Sequence, residues 1–272
     1  MVTFSNCKIN LGLNVVQKRE DGFHDIETIF LPIPFYDVLE IIPSSKNTTT
    51  LTTTGLPIDN NGENLCLKAF KLLKSDFPSL PEIDIHLHKT IPIGAGLGGG
   101  SADAAFTLLL LNKKFNLQIE QQQLRNYALQ LGSDCPFFII NKPCVAKGRG
   151  EILEEIKLSL SSYKMLLINP GIPVNTREIF KHIMVAIPQK KINDIIKQPI
   201  SAWRKELVND FEKVIFPNHP VIKRIKEELY RHKAIYASMT GTGSTVFGIF
   251  NKNEEISYPV KKGHFHKWID LS

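Results

Sequence analysis

Long apolar runs are missing. No stretch of the 272 residues approaches the roughly 20 needed to cross a bilayer, and the densest, residues 104–111, is short. The first residues lack a basic start, an apolar stretch and a small-residue cleavage site, so no secretory leader is expected. Cysteine is scarce. Cys7, Cys66, Cys135 and Cys144 are scattered, with no C-x-x-C pair and no histidine at zinc spacing, which argues against a zinc ribbon or finger. Such thiols are expected to be buried, reduced and idle in a cytoplasmic protein. No internal repeat at a solenoid or propeller period is present. The excess of one charge sign is small. There are 33 Lys and Arg against 27 Asp and Glu, leaving +6, which suits an anionic small molecule and does not by itself argue for nucleic acid.

Hydrophobic residues make up 43% of the chain, enough for a sizeable core. Residues 44–54, rich in Ser, Thr and Asn, read as a hairpin tip or an edge strand, and 54–62 as a loop. Asn64 is placed to cap a helix running to Asp76, with Leu65, Ala69, Leu72 and Leu73 inward. Ile83, Ile85 and Leu87 alternate with polar residues as a strand. A glycine-rich loop over 93–100 then leads into a helix opened by Ser101 and ending near Asn112. A helix over 120–131 follows, with Gly132 placed for a left-handed cap. In the second half, 164–168 predicts a strand, and 176–184, 200–214 and 220–232 predict helices, the last with Val221, Ile225 and Leu229 in register. Strands over 234–239 and 245–250 flank the turn Thr240-Gly241-Thr242-Gly243-Ser244. Interleaved strands and helices without strict alternation argue for an α+β fold in two domains, 1–155 and 156–272, with Ser-rich 159–162 as the linker signal.

The most informative segment is Pro92-Ile93-Gly94-Ala95-Gly96-Leu97-Gly98-Gly99-Gly100-Ser101-Ala102. Five glycines in the seven positions 94–100 are costly in conformational entropy. A loop tolerates that when its backbone must bend tightly and approach a ligand closely. This one feeds a helix, whose open N–H groups and positive dipole end suit a phosphate. Ser101 is placed to cap that helix and to face the phosphate or its metal. The match to G-x-G-x-x-G is weak, because no second parallel strand ending in an acidic residue follows. The protein-kinase signatures and G-x-x-x-x-G-K-[ST] are absent.

The loop and its Ala-rich helix resemble the GHMP kinases. Further segments agree in order and spacing: Lys8-Ile9-Asn10-Leu11, Asp21-Gly22-Phe23-His24, Gly132-Ser133-Asp134-Cys135-Pro136, Gly148-Arg149-Gly150-Glu151 and Gly241-Thr242-Gly243-Ser244. The resemblance runs from about residue 6 to about residue 250. It implies a two-domain GHMP kinase fold, with a ribosomal S5 domain 2-like N-terminal domain and a ferredoxin-like C-terminal domain. It is narrowest to the branch that uses ATP and Mg²⁺ to phosphorylate the 2-hydroxyl of 4-diphosphocytidyl-2-C-methyl-D-erythritol in non-mevalonate isoprenoid precursor biosynthesis. The implied partner is a small molecule carrying a cytidine diphosphate group, with no nucleic acid and no membrane. A monomer or a homodimer fits equally.

The resemblance also assigns roles. Asp134 is the candidate base and Lys8 its cationic partner; read alone, they are a turn or cap aspartate and a surface lysine. The apolar residues after Asp134 suggest its partial burial. Pro92, Ile93, Gly94, Ala95, Gly96, Leu97, Gly98, Gly99, Gly100, Ser101 and Ala102 would hold ATP phosphates, with Asn64 and Lys89 near the adenine. Asn10, Phe23, His24, Thr176, Phe180, Gly241 and Thr242 would meet the acceptor, His24 at the cytosine edge and Phe23 and Phe180 as stacking rings. Ser101 is the candidate metal ligand, because Ala102 stands where Ser is common. Phe23 stands where Tyr is usual, so stacking survives and a phenolic hydrogen bond does not. Two alternatives stay open: a GHMP kinase for homoserine, mevalonate or a sugar, and a nucleic-acid binder using the basic segment Lys261 to Trp268. That segment otherwise reads as a solvated tail or a packed C-terminal strand.

Overall fold

The computed structural model describes residues 1–58, 63–259 and 261–271, so the last part of the loop expected over 54–62 lies outside the described residues. The chain forms two interleaved compact units. The first comprises Met1–Cys7, Phe35–Ile93 and Gly98–Lys142, the second Lys8–Pro34, Gly94–Leu97 and Pro143–Ser272. Two long strands, β1 (Val2–Lys18) and β2 (His24–Pro43), contribute to both and pair with each other.

In the first unit, β3 (Thr50–Gly55) lies at a sheet edge, parallel to β4 (Ile83–Lys89), with α1 (Leu65–Asp76) between them in sequence. The edge-strand reading of 44–54 therefore holds for its second half. β4 runs antiparallel to Val38–Pro43 of β2. Asn64 caps α1, its side chain accepting from the Cys66 N–H at 2.8 Å. The buried face of α1 is Cys66, Ala69, Phe70 and Leu73, rotated from the expected one. Helix α2 (Gly99–Lys114) begins earlier than Ser101 and packs on α1, α3 (Gln121–Leu131) and α4 (Cys135–Ile140). Buried Ala102, Ala104 and Ala105 permit that close packing. Its N-cap is Gly98, in the left-handed region at φ 69°, with no side-chain cap. Ser101 therefore does not cap the helix. Gly132 is extended at φ 166°, so the expected left-handed cap of α3 is replaced by an extended residue and a turn, closed by Cys135 N–H to Gly132 O at 3.1 Å, that leads into α4.

Charge is buried beneath α2. Alternation along β2 turns Phe35, Asp37, Leu39 and Ile41 inward, and Asp37 is 0% exposed. The Lys89 ammonium, 3% exposed, pairs with Asp37 and, at 2.7 Å, with Asp103 of α2. The Ser5 hydroxyl donates to the other Asp103 oxygen at 2.6 Å. Burial pushes the Asp103 carboxyl up to about 6, Lys89 pulling it down and Asp37 pushing it further up. Burial lowers the Lys89 ammonium, but the two carboxylates outweigh it and the net shift is upward.

In the second unit, Thr28–Phe30 of β2 pairs antiparallel with β5 (Cys144–Lys147), and β5 with β6 (Ile152–Glu155). β7 (Tyr163–Asn169) precedes the short helices α5 (Thr176–His182), α6 (Ile192–Ile195) and α7 (Trp203–Glu206), then α8 (Glu212–Asn218) and α9 (Pro220–Arg231). β8 (Tyr236–Met239), β9 (Val246–Asn251) and β10 (Phe265–Asp270) complete an antiparallel sheet in the order β10-β7-β9-β8. Segment 261–268 thus ends in a packed strand. On α9 the buried residues are Ile222, Ile225 and Leu229, with Val221 only partly buried. The helix expected over 200–214 is broken. Leu13 N–H bonds Val208 O, Asp210 N–H bonds Leu13 O, and the Asp210 carboxylate accepts from Val15 N–H, so 208–210 is held by β1 instead. No helix among the described residues is long and apolar enough to cross a membrane.

The raised Asp103 carboxyl fixes the sign of one pH effect. In the fold it holds its proton to about pH 6, while unfolded it releases it near 3.8. The folded state binds the extra proton between those values, so this group's contribution to stability falls as pH rises through that window. Asp103→Asn removes the titration and keeps the shape. The melting temperature of Asp103→Asn relative to the unaltered protein is expected to become more favourable from pH 4 to 7, measured by calorimetry. A flat difference rules out the buried titration.

Candidate active site

The loop after β4 reverses handedness repeatedly. Gly94, Gly96 and Gly98 have φ of 63°, 77° and 69°, alternating with residues at negative φ. Such alternation turns successive N–H groups toward one concave side, an anion-binding arrangement. Helix α2 supplies no acceptor for the N–H groups of Gly99, Gly100 and Ser101, its first internal bond being Ala102 N–H to Gly98 O at 2.9 Å. It has no acidic residue in its first turn, and Lys113 and Lys114 in its last. The open N-terminus is therefore the positive end of a charge-matched helix.

Within the first unit, Asp134 precedes α4 and is half-buried, as its apolar flank suggested; it stands at the helix start without capping it. The next residue, Cys135, is buried, and burial pushes its thiol up to about 12, against a hydrogen bond from the Ser101 side chain. That contact brings the first turn of α2 beside the start of α4. All four cysteines are buried and none forms a disulfide. The cap bond occupies the Asn64 carboxamide oxygen, and the Lys89 ammonium is held by two carboxylates beneath the loop.

Within the second unit, the loop apex meets the turn after β8. A Cβ on Gly96 would lie 2.2 Å from Thr240 O, and one on Gly241 3.1 Å from the Gly96 Cα. Lys8 N–H donates to Leu97 O at 2.9 Å, and the Thr240 hydroxyl to Gly96 O at 3.0 Å. Asn10, 2% exposed, joins these pieces. Its carboxamide oxygen accepts from Lys8 Nζ at 2.7 Å and Gly241 N–H at 3.1 Å, and its Nδ2 donates to Thr28 Oγ1 at 3.0 Å. The Lys8 ammonium also lies 4.4 Å from the Phe30 ring centroid. Asn209 anchors the turn, donating to Met239 O and Gly241 O at 2.8 and 2.9 Å.

The acceptor candidates of this unit also converge. Helix α5 carries Thr176 and Phe180 one turn apart on one face. Thr176 Oγ1 lies 3.0 Å from Thr242 Oγ1, and the Phe180 ring lies 5.1 Å from the His24 imidazole at a 31° tilt. Burial lowers the His24 pKa, with Lys18 adding to it, which favours the neutral ring. Phe23 is 54% exposed, and the Arg149 guanidinium sits 4.8 Å from its ring centroid. Lys8 and Asp134 belong to different units, and each is positioned by its own.

The sequence did not mark Asp37, Asp103, Asn209, Thr240 or the contact of Arg149 with Phe23. For Asp37 a signal exists, because it shares the inward parity of Phe35 and Leu39. Asp103 is likewise a lone carboxylate on a small, apolar helix face.

The backbone contact at the apex can be measured. Gly94 and Gly96 both need a left-handed backbone, but a Cβ on Gly94 meets nothing within 4 Å. Gly94→Ala is expected to cost about 1–2 kcal/mol in denaturant unfolding, and Gly96→Ala about 3 kcal/mol or more. Equal losses eliminate the close approach as the reason for Gly96.

Comparison with known proteins places the chain in a family. Residues 64–142 match the GHMP kinases N terminal domain, and 192–260 match the GHMP kinases C terminal family. The chain is 51% identical over 260 residues to a 4-diphosphocytidyl-2-C-methyl-D-erythritol kinase of Bacteroides fragilis (strain YCH46), covering 94% of each chain. It is 37% identical over 260 residues to the enzyme of that name from Chlorobium limicola (strain DSM 245 / NBRC 103803 / 6330), covering 92% of this chain and 88% of that one. A crystal structure of 4-(cytidine 5'-diphospho)-2C-methyl-D-erythritol kinase superposes with a TM-score of 0.78 at 30% identity, covering 91% of this chain and 89% of that one. The Methanococcus jannaschii mevalonate kinase structure shares the fold, with a TM-score of 0.71 at 16% identity, covering 100% of this chain and 98% of that one. With half the residues matched by family domains and close relatives along nearly its whole length, the chain belongs to the 4-diphosphocytidyl-2-C-methyl-D-erythritol kinase family of GHMP kinases.

Proposed function

We propose that this chain is an ATP-dependent kinase that phosphorylates the 2-hydroxyl of 4-diphosphocytidyl-2-C-methyl-D-erythritol, in non-mevalonate isoprenoid precursor biosynthesis. The observation that carries the reading is the uncapped first turn of α2, on a helix packed against the one that Asp134 opens. A phosphate at that turn and a hydroxyl at Asp134 are then neighbours within one unit. The relatives' printed names supply the acceptor.

Phosphoryl transfer depends mainly on positioning and on stabilising charge. In this reading the loop over 92–102 holds the ATP phosphates, with the N–H groups of Gly99, Gly100 and Ser101 as donors. Asn64 borders the nucleotide from the start of α1, and Lys89 acts from beneath. Asp134 takes the proton of the acceptor hydroxyl as its oxygen bonds the γ-phosphorus and the bond to ADP breaks. Lys8, held by Asn10, offsets charge on the transferring group. His24 reads the cytosine edge, and Phe23 and Phe180 flank the base. Thr176, Gly241 and Thr242 line the acceptor side. Mg²⁺ fits the donor chemistry, because Ser101 sets a hydroxyl oxygen at the phosphate-facing helix start. When bound, that ion would neutralise phosphate charge.

Domains over 1–155 and 156–272 accord with family matches at 64–142 and 192–260. A cytoplasmic location accords with four buried cysteines outside any disulfide, and the chain would act as a monomer or homodimer.

Coupled ADP release with Mg-ATP tests the acceptor. Turnover is expected with 4-diphosphocytidyl-2-C-methyl-D-erythritol and not with homoserine, mevalonate or galactose; turnover with one of those instead overturns the assignment. Asp134→Asn is expected to lower kcat about 100-fold or more while ATP affinity and thermal unfolding stay near those of the unaltered protein. An unchanged kcat removes Asp134 as the base.

A further inference from the structure

We infer that Asp37 is a positioning residue for the phosphate loop, fastening the two ends of that loop to one buried point; this rests on the loop's reading as the ATP phosphate site. At the leading end, Asp37 Oδ1 accepts the N–H of Thr90 at 2.6 Å and of Ile91 at 2.9 Å, just after β4. At the trailing end, Asp37 Oδ2 holds the Lys89 ammonium, which donates to Asp103 Oδ2 at 2.7 Å. Asp103 lies one turn beyond Gly99 on α2. The ammonium is directly under that turn, because a Cβ on Gly99 would lie 3.4 Å from Lys89 Nζ and 3.0 Å from the Ile91 side chain. One carboxylate therefore controls where the loop starts, through two backbone N–H groups, and where it ends, through Lys89. All of these groups lie in the first unit.

This arrangement differs from generic core packing in what it does to the loop. A buried ion pair offers little net stability, because desolvation offsets much of its attraction. Its geometric effect is specific. Each Asp37 oxygen receives only donors, so an amide at this position serves one loop end and turns its NH₂ against the donors of the other. Asp103 is more forgiving. Its second oxygen meets a hydroxyl, and the Ser5 Oγ can accept from an amide as well as donate.

Amide hydrogen exchange, nucleotide calorimetry and steady-state kinetics on the full chain separate these readings. Asp37→Asn leaves Lys89 paired one-to-one with Asp103, so no buried charge is orphaned. It is expected to speed exchange at residues 90–91 and at the hydrogen-bonded amides 102–105 by about tenfold, and to weaken ATP binding by about tenfold. The acceptor KM is expected to stay within about twofold, and Asp103→Asn to leave exchange at 90–91 near that of the unaltered protein. Exchange that rises evenly across the first unit overturns the inference, as does loop exchange and ATP affinity within about twofold of the unaltered protein. Should Asp37→Asn fail to fold, Asp103→Ala substitutes. It is expected to speed exchange at 102–105 while 90–91 stay protected, and equal acceleration at both overturns the inference. Failure of the unaltered protein to bind ATP overturns the kinase reading instead, and the exchange pattern then judges the fastening by itself.

Discussion

A helix that is to hold an anion at its N-terminus cannot also be capped there. A capping side chain would occupy the N–H groups the anion needs, and with glycine at the cap forgoing it costs only about a few tenths of a kcal/mol. Gly98 at the N-cap of α2 makes no side-chain bond, and Ser101, two residues inside the helix, does not cap it. Order at this turn therefore comes from below and behind. Small buried alanines bring α2 close to its neighbours, and the Asp37–Lys89–Asp103 cluster fixes its first turns to β2 and β4. The cluster keeps three charged groups out of water, tolerable because each oxygen and the ammonium has partners. Burial is thus exchanged for an unobstructed anion site.

The second unit solves a related problem with backbone contact. Gly96 and Gly241 meet where no side chain fits, so two turns remote in sequence become mutual templates. Asn10 then converts that contact into a position for Lys8. A carboxamide suits the task because its oxygen accepts from a cation and a backbone N–H while its nitrogen fixes the rotamer on Thr28. A carboxylate at position 10 would lose the donor to Thr28. A short aliphatic would free both Lys8 and the turn.

The legible parts of the fold were those written in local chemistry. Helix α1 with its Asn64 cap, strand β4, helix α9 and the strands on either side of the Gly241 turn follow from period and capping alone. The glycine loop was legible because its composition is costly unless the backbone has a ligand to approach. What stayed hidden depends on partners distant in sequence. The break after α7 exists because residues 208–210 bond β1, and no local signal in 200–214 reports that. The start of α2 was misplaced because serine at a helix start normally caps, whereas here the cap position falls on Gly98 in the left-handed region. Asp37 and Asp103 were overlooked for the same reason, each being explained by a lysine on another element.

Phe23 shows how a departure from a family pattern can be compensated locally. Its position, where tyrosine is usual in the resembled family, is exposed, so nothing in a core orients the ring. A phenol would offer a hydrogen bond to fix it. Here the Arg149 guanidinium lies over the ring face, and the turn that carries Arg149 is tied to β2 by the bond from Ile26 N–H to Gly148 O at 2.7 Å. Arg149 N–H in turn bonds the Glu151 carboxylate at 2.6 Å, which shapes that turn. The ring is thus oriented from above by a cation on a fixed backbone, an interaction of about 0.5–1 kcal/mol at an exposed site. That is weaker than a buried hydrogen bond network and leaves the ring some freedom. A planar base seated on Phe23 would bury the face opposite Arg149 and strengthen the same contact by desolvation, so the ring's order would follow the occupancy of the site.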